Sequence, residues 1–183
     1  IERDSSERTN PDLTFAAPDA TVPVVGLIYV GPQGEYETQR HDLAEKAFEN
    51  LLAGRDVAVM PIDTRLDVNA HGLCTPAQVE SVIAKMDAVL TTRLHGAALA
   101  LRRGVPPVVI DSIPGGTKLW RQMQRISWPL TFHVGDLDPG RLAAALDFAL
   151  TPEARTLAQQ CAANARQAVA EVEREFLAAL GGG

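Results

Sequence analysis

The sequence predicts an α/β domain: a doubly wound, mostly parallel sheet with a long helix at its carboxyl end. Short β-branched runs alternate along the chain with helix-length amphipathic segments, the mark of βαβ units. The strand-like runs are continuously apolar, as expected of strands covered on both faces. Glycine or proline punctuates nearly every passage from one segment to the next.

Residues 1–21 are polar, mixed in charge and aperiodic, and read as a disordered or loosely attached leader; the domain is expected over 22–183. The first strand is Val24–Val30, broken by Gly31-Pro32-Gln33-Gly34. Tyr36–Ala53 follows as a helix, with Leu43, Ala47 and Leu51 beside Ala44, Phe48 and Leu52, and stops at Gly54. Val57–Met60 is the second strand. Thr75-Pro76 supplies an N-cap and a first-turn proline for a helix running to about Lys85. Ala88–Thr92 is a strand, Leu94–Arg103 a helix ended by Gly104, Pro107–Asp111 a strand and Thr117–Ile126 a helix. Thr131–Val134 is a short strand and Gly140–Leu150 a helix. From Pro152 to about Ala179 runs one long helix whose stripe (Ala154, Leu157, Cys161, Ala165, Ala168, Val172, Phe176) is expected to pack across the sheet or to serve as a dimer surface.

A length of 183 residues fits one domain, or one lobe of a two-lobed enzyme. The formal charge of -6 and the lack of a basic tract argue against nucleic acid as a partner. No apolar run approaches the roughly 20 residues of a membrane span, and Ile1–Ala20 holds no signal-peptide core. The chain does not start with Met, which fits a processed chain or an excised domain. Cys74 and Cys161 have neither disulfide nor metal spacing, so a reducing, cytoplasmic setting is expected and no metal or cofactor.

In doubly wound sheets, ligands sit where the carboxyl ends of strands turn into helices. Two such junctions carry chemistry. In Thr91-Thr92-Arg93-Leu94-His95-Gly96, a strand delivers Arg93 and His95 to a helix N-terminus. The free amides and dipole there favour an anion. Arg93 adds a planar fork for carboxylate or phosphate, His95 a proton donor near neutral pH, and Gly96 room for close approach. The alternative is structural: a satisfied His95, and Arg93 paired with an acid on a neighbouring loop. In the second junction, Asp111 to Lys118, Gly115 and Gly116 expose amides and Lys118 brings a point charge. It is either a second anion site or a plain connecting loop; the spacing of an ATP-binding P-loop is absent.

The block Met86-Asp87-Ala88-Val89-Leu90-Thr91-Thr92-Arg93-Leu94-His95-Gly96, followed by Ala100-Leu101-Arg102-Arg103-Gly104-Val105-Pro106, closely resembles the polysaccharide pyruvyl transferase family. Gly115-Gly116-Thr117-Lys118 and Trp128-Pro129 are similar to one branch of it. The resemblance implies a Rossmann-like single lobe of a glycosyltransferase-B-type fold. It also implies transfer of the enolpyruvyl unit of phosphoenolpyruvate to a sugar of a cell-surface polysaccharide. On that resemblance Arg93 holds an anionic group and His95 is the acid or phosphate ligand, with Thr92, Leu94 and Gly96 at the substrate. Gly115, Gly116 and Lys118 are an extension of it, holding the other anion. The partners implied are phosphoenolpyruvate, a saccharide acceptor, and either a second copy of the chain or an N-terminal lobe absent from it. Two other readings stand beside this one: a sugar-nucleotide-binding glycosyltransferase-B lobe, and a non-catalytic saccharide-binding or scaffold domain.

Among the remaining polar and aromatic residues, His41 beside Asp42 reads as solvated, and His133 as packed or bonded within its strand. His71, Asp63 and Asp67 share the ligand rim, the two acids either meeting a sugar hydroxyl or capping a turn. Trp120 reads as core, Trp128 as core or as a sugar platform.

Overall fold

The computed structural model describes residues 11–30, 40–116 and 118–181. The expected strand break at Gly31–Gly34, the helix start at Tyr36–Gln39, Thr117 and residues 1–10 of the expected leader fall outside them. Upstream of the sheet, Leu13–Ala16 forms a single 3-10 turn, with Asp12 capping the Thr14 amide.

Five strands form one sheet: β1 (Val24–Ile28), β2 (Ala58–Pro61), β3 (Ala88–Thr91), β4 (Pro107–Asp111) and β5 (Thr131–His133). Their order is β2-β1-β3-β4-β5, and every adjacent pair is parallel. The connections are the helices α1 (His41–Leu52), α2 (Pro76–Ile83), α3 (Leu94–Arg102) and α4 (Lys118–Arg125). The chain ends in α5 (Pro139–Ala149) and α6 (Pro152–Gly181). Thr75 caps α2 in a reciprocal capping box with Gln78, and Pro76 opens the helix, as the sequence requires.

Successive strand residues point to opposite faces, and both faces are covered. Leu90 joins a large cluster with Phe48 of α1, Met123 of α4, Trp128 and Leu146 of α5. Its neighbour Val89 joins a smaller cluster with Ile28, Val79 and Ile83. Trp128 is core and not a sugar platform: it is 1% exposed, and its indole N–H donates to the Pro107 carbonyl at 2.8 Å. The edge strand β2 is the exception to burial, with all four residues exposed.

The stripe of the terminal helix divides into a covered and an exposed half. Ala154, Ala158, Cys161 and Ala162 are buried against the body, where α6 meets α3 and α5. Val172 and Phe176, on the same stripe, are 59% and 63% exposed. A helix of 30 residues is about 45 Å long, so it outruns the domain it packs on. No helix among the described residues is long and apolar enough to cross a membrane.

Candidate functional site

The chain leaves β1 for β2 on one side, then returns to β3 on the other, so the switch point of the sheet lies between the carboxyl ends of β1 and β3. Thr92 stitches these two ends together. Its amide donates to the Ile28 carbonyl, and its buried hydroxyl accepts from the Val30 amide at 2.9 Å. Thr91 then fixes the next residue: its hydroxyl accepts from the Arg93 amide at 3.0 Å and donates to the Arg93 carbonyl. Both threonines thus hold the junction in shape.

Arg93 is the N-cap residue of α3 in extended conformation, and its side chain makes no capping bond. The half-buried guanidinium has no hydrogen-bond or ion-pair partner among the described residues, so the acidic partner weighed from sequence is not found there. His95, the second residue of α3, is exposed. Leu94, partly buried, packs on the large core cluster. Gly96 is buried; a Cβ there would lie 2.6 Å from Thr91 Oγ1 and 2.9 Å from Ile28 Cγ2. The close approach it permits is that of α3 to the sheet.

On the β2 side of the junction lies a cleft of about 410 Å³, in whose lining Arg93 meets His71, Asp63, Arg65, Tyr29 and Glu45. The loop carrying His71 is tied by its own side chains. Asn69 Oδ1 accepts from the amides of His71 and Leu73, while its Nδ2 donates to the carbonyls of Asp63 and Arg65. Burial pushes the Asp63 carboxyl up, but the Arg65 amide and guanidinium, the Ala70 amide and the Arg65 charge outweigh it and bring it down to about 2. Asp63 therefore caps this turn. Asp67 is exposed and does not line the cleft. Burial first, then the charges of Glu45 and Glu49, push Tyr29 up to about 12, so its hydroxyl is a neutral donor. Within the described residues that hydroxyl is buried without a partner.

The second junction is built differently. Gly115 and Gly116 take φ of +84° and +80°, values that favour glycine. The buried Asp111 carboxylate accepts from the amides of Ile113 and Trp120, the latter in the first turn of α4. The positive end of α4 thus already faces a carboxylate of this chain. Gly116 lies under the aromatic pair of Trp120 and His133, stacked with centroids 3.7 Å apart, and a Cβ would sit 2.9 Å from His133 Cε1. Trp120 is half-buried in this stack rather than core. Lys118 is exposed, and neither it nor the two glycines line the cleft beside Arg93. His41 is not solvated: it is half-buried, its Nδ1 2.7 Å from the Ser112 hydroxyl. The Arg40 amide bonds the Ser112 carbonyl beside it. Together these contacts clamp the start of α1 to the end of β4.

The structure therefore brings Arg93, His71 and Asp63 to one cleft, leaves His95 on α3 outside its lining, and leaves Gly115, Gly116 and Lys118 at a separate turn. Sequence reading missed Tyr29, Glu45 and Arg65. Tyr29 carries a signal, a polar-tipped aromatic closing an apolar strand at the ligand rim; Glu45 carries none, being one acid among several on α1.

A family model described as polysaccharide pyruvyl transferase matches residues 8–113, more than half of the chain and inclusive of both junctions' strands. No curated protein matches. Among solved structures, the glycotransferase of kitacinnamycin is similar with a TM-score of 0.51 at 16% identity, over 95% of this chain and 47% of that one. That likeness shows a shared fold, and the chain spans about half the length of the glycotransferase it matches.

Proposed function

The chain belongs to the polysaccharide pyruvyl transferase family, and we propose that it forms one lobe of an enzyme moving the pyruvyl unit of phosphoenolpyruvate onto a sugar of a cell-surface polysaccharide. The observation that carries this reading is the half-buried Arg93 guanidinium, unpaired among the described residues, at the start of α3 on the switch point. A cation in that position, with no partner among the described residues, suits an anionic ligand.

Phosphoenolpyruvate joins a phosphate and a carboxylate on three carbons. Ketal formation needs a proton on its methylene carbon, stabilisation of the resulting cation and departure of phosphate. The α3 amides and Arg93 neutralise the phosphate as it leaves, the kind of fixed electrostatic contribution that counts most for rate. His95, exposed and two residues beyond Arg93, donates the proton or steadies the phosphate. Cys74 and Cys161 are both free thiols, which supports placing the reaction in a reducing cytoplasm.

The likeness to a glycotransferase gives a competing reading, a lobe for a sugar nucleotide. Thermal-shift titration separates the two. Phosphoenolpyruvate should raise the melting temperature of the chain, and Arg93→Ala and His95→Ala should lose that rise. Stabilisation by UDP-sugars alone would sink the pyruvyl reading; a response to neither points to a scaffold.

A further inference from the structure

We propose that the cleft between β1, β2 and Arg93 is the acceptor-sugar subsite, with Glu45 and His71 receiving hydrogen bonds from two sugar hydroxyls; this rests on the donor reading above. The volume of about 410 Å³ holds a hexose unit, within the usual range for small-molecule sites. The lining sets two acceptors, Glu45 and His71, against the Arg93 guanidinium as donor. Asp63 and Arg65 cancel one another in their own pair. That balance suits a polyol, whose hydroxyls both give and take hydrogen bonds. It suits a second anion poorly, because Glu45 would oppose it.

His71 is the better placed of the two acceptors. Its backbone is held by Asn69 while its ring is exposed, with no side-chain partner among the described residues. A ketal forms when two hydroxyl oxygens replace the phosphate ester oxygen and the double bond at one carbon. Each hydroxyl gives up its proton: one balances the proton gained by the methylene carbon, the other leaves with the phosphate. A cleft sharing Arg93 with the donor site presents both hydroxyls to that carbon. His71 accepts the proton of the attacking hydroxyl, and Asn69 is the positioning residue behind it.

Saturation-transfer NMR with methyl hexosides (glucoside, galactoside, mannoside) tests the assignment, in parallel with the phosphoenolpyruvate thermal shift. At least one hexoside should bind the unaltered chain. Glu45→Gln and His71→Ala should each weaken that binding about three- to tenfold, the loss of one hydrogen bond, while the phosphoenolpyruvate shift stays intact. Asn69→Ala should reproduce the selective loss. No hexoside signal, or a signal untouched in the Glu45→Gln/His71→Ala double variant, overturns the proposal. So does loss of the phosphoenolpyruvate shift in His71→Ala, which would make the cleft part of the donor site. Failure of phosphoenolpyruvate to shift the unaltered chain removes the donor reading instead, and the hexoside result still judges the cleft.

Discussion

Replacing Gly96 with alanine sets two effects of opposite sign against each other. An alanine in the first turn of α3 gains up to about 1 kcal/mol of helix propensity over glycine. The new methyl, however, would stand 2.6 Å from Thr91 Oγ1, 2.9 Å from Ile28 Cγ2 and 3.3 Å from Ile28 Cβ. None of these is the free end of a flexible side chain. Ile28 is fully buried, and the Thr91 hydroxyl is bound to both the amide and the carbonyl of Arg93. Overpacking of this kind costs about 1–3 kcal/mol, and displacing the Thr91 hydroxyl from the Arg93 amide adds about 1 kcal/mol. The net is a destabilisation of about 1–3 kcal/mol, or roughly 2–4 °C in melting temperature for each kcal/mol in a chain of this size. Urea denaturation followed by circular dichroism measures it. Because the strain falls on the residues that pin Arg93, phosphoenolpyruvate affinity should fall as well. Unchanged or increased stability would refute the reasoning, since propensity would then outweigh the clash.

Three further outcomes follow from the structure. Trp128→Phe removes the N–H that satisfies the buried Pro107 carbonyl and should cost about 1–3 kcal/mol in denaturant titration, with β4 intact. Glu80, 4% exposed, faces Arg102 at 3.2 Å and also Arg103, joining α2 to the end of α3. Both arginines reach solvent, so Glu80→Gln should cost about 1–2 kcal/mol, less than breaking a wholly buried pair. Asp63 titrates at about 2 in the folded chain against its ordinary 3.8, so its contribution is present above about pH 4 and lost as pH falls toward 2. Hydrogen-exchange protection of residues 63–73, taken relative to the intrinsic rate at each pH, should therefore fall across that acid range in the unaltered chain and much less in Asp63→Asn.

The strands, their order of appearance and the capping of α2 were legible because each rests on local signals: β-branched runs, Thr75-Pro76, and glycines at Gly54 and Gly104. Arg93 was legible as a residue, but its lack of a partner among the described residues was not, since its surroundings depend on loops distant in sequence. The bond between His41 and Ser112 spans 71 positions and exists only because α1 begins where β4 ends. Burial of Trp128 likewise depends on a carbonyl 21 positions away. The stripe along α6 runs unbroken through both halves of the helix; which half is covered depends on how far α3 and α5 extend beneath it. The glycines at Gly96 and Gly116 look alike in sequence as openings for a ligand. Geometry gives each a packing role, one against Thr91 and Ile28, the other against His133 and Trp120.

The central claim is that an anion of phosphoenolpyruvate type settles on the start of α3 at Arg93. Amide-resolved NMR titration with phosphoenolpyruvate tests it most directly. The account predicts that the largest shift changes fall on the amides of Leu94, His95 and Gly96, and that Arg93→Ala abolishes them. Changes centred on Gly115 to Trp120, or none at saturating ligand, would contradict it.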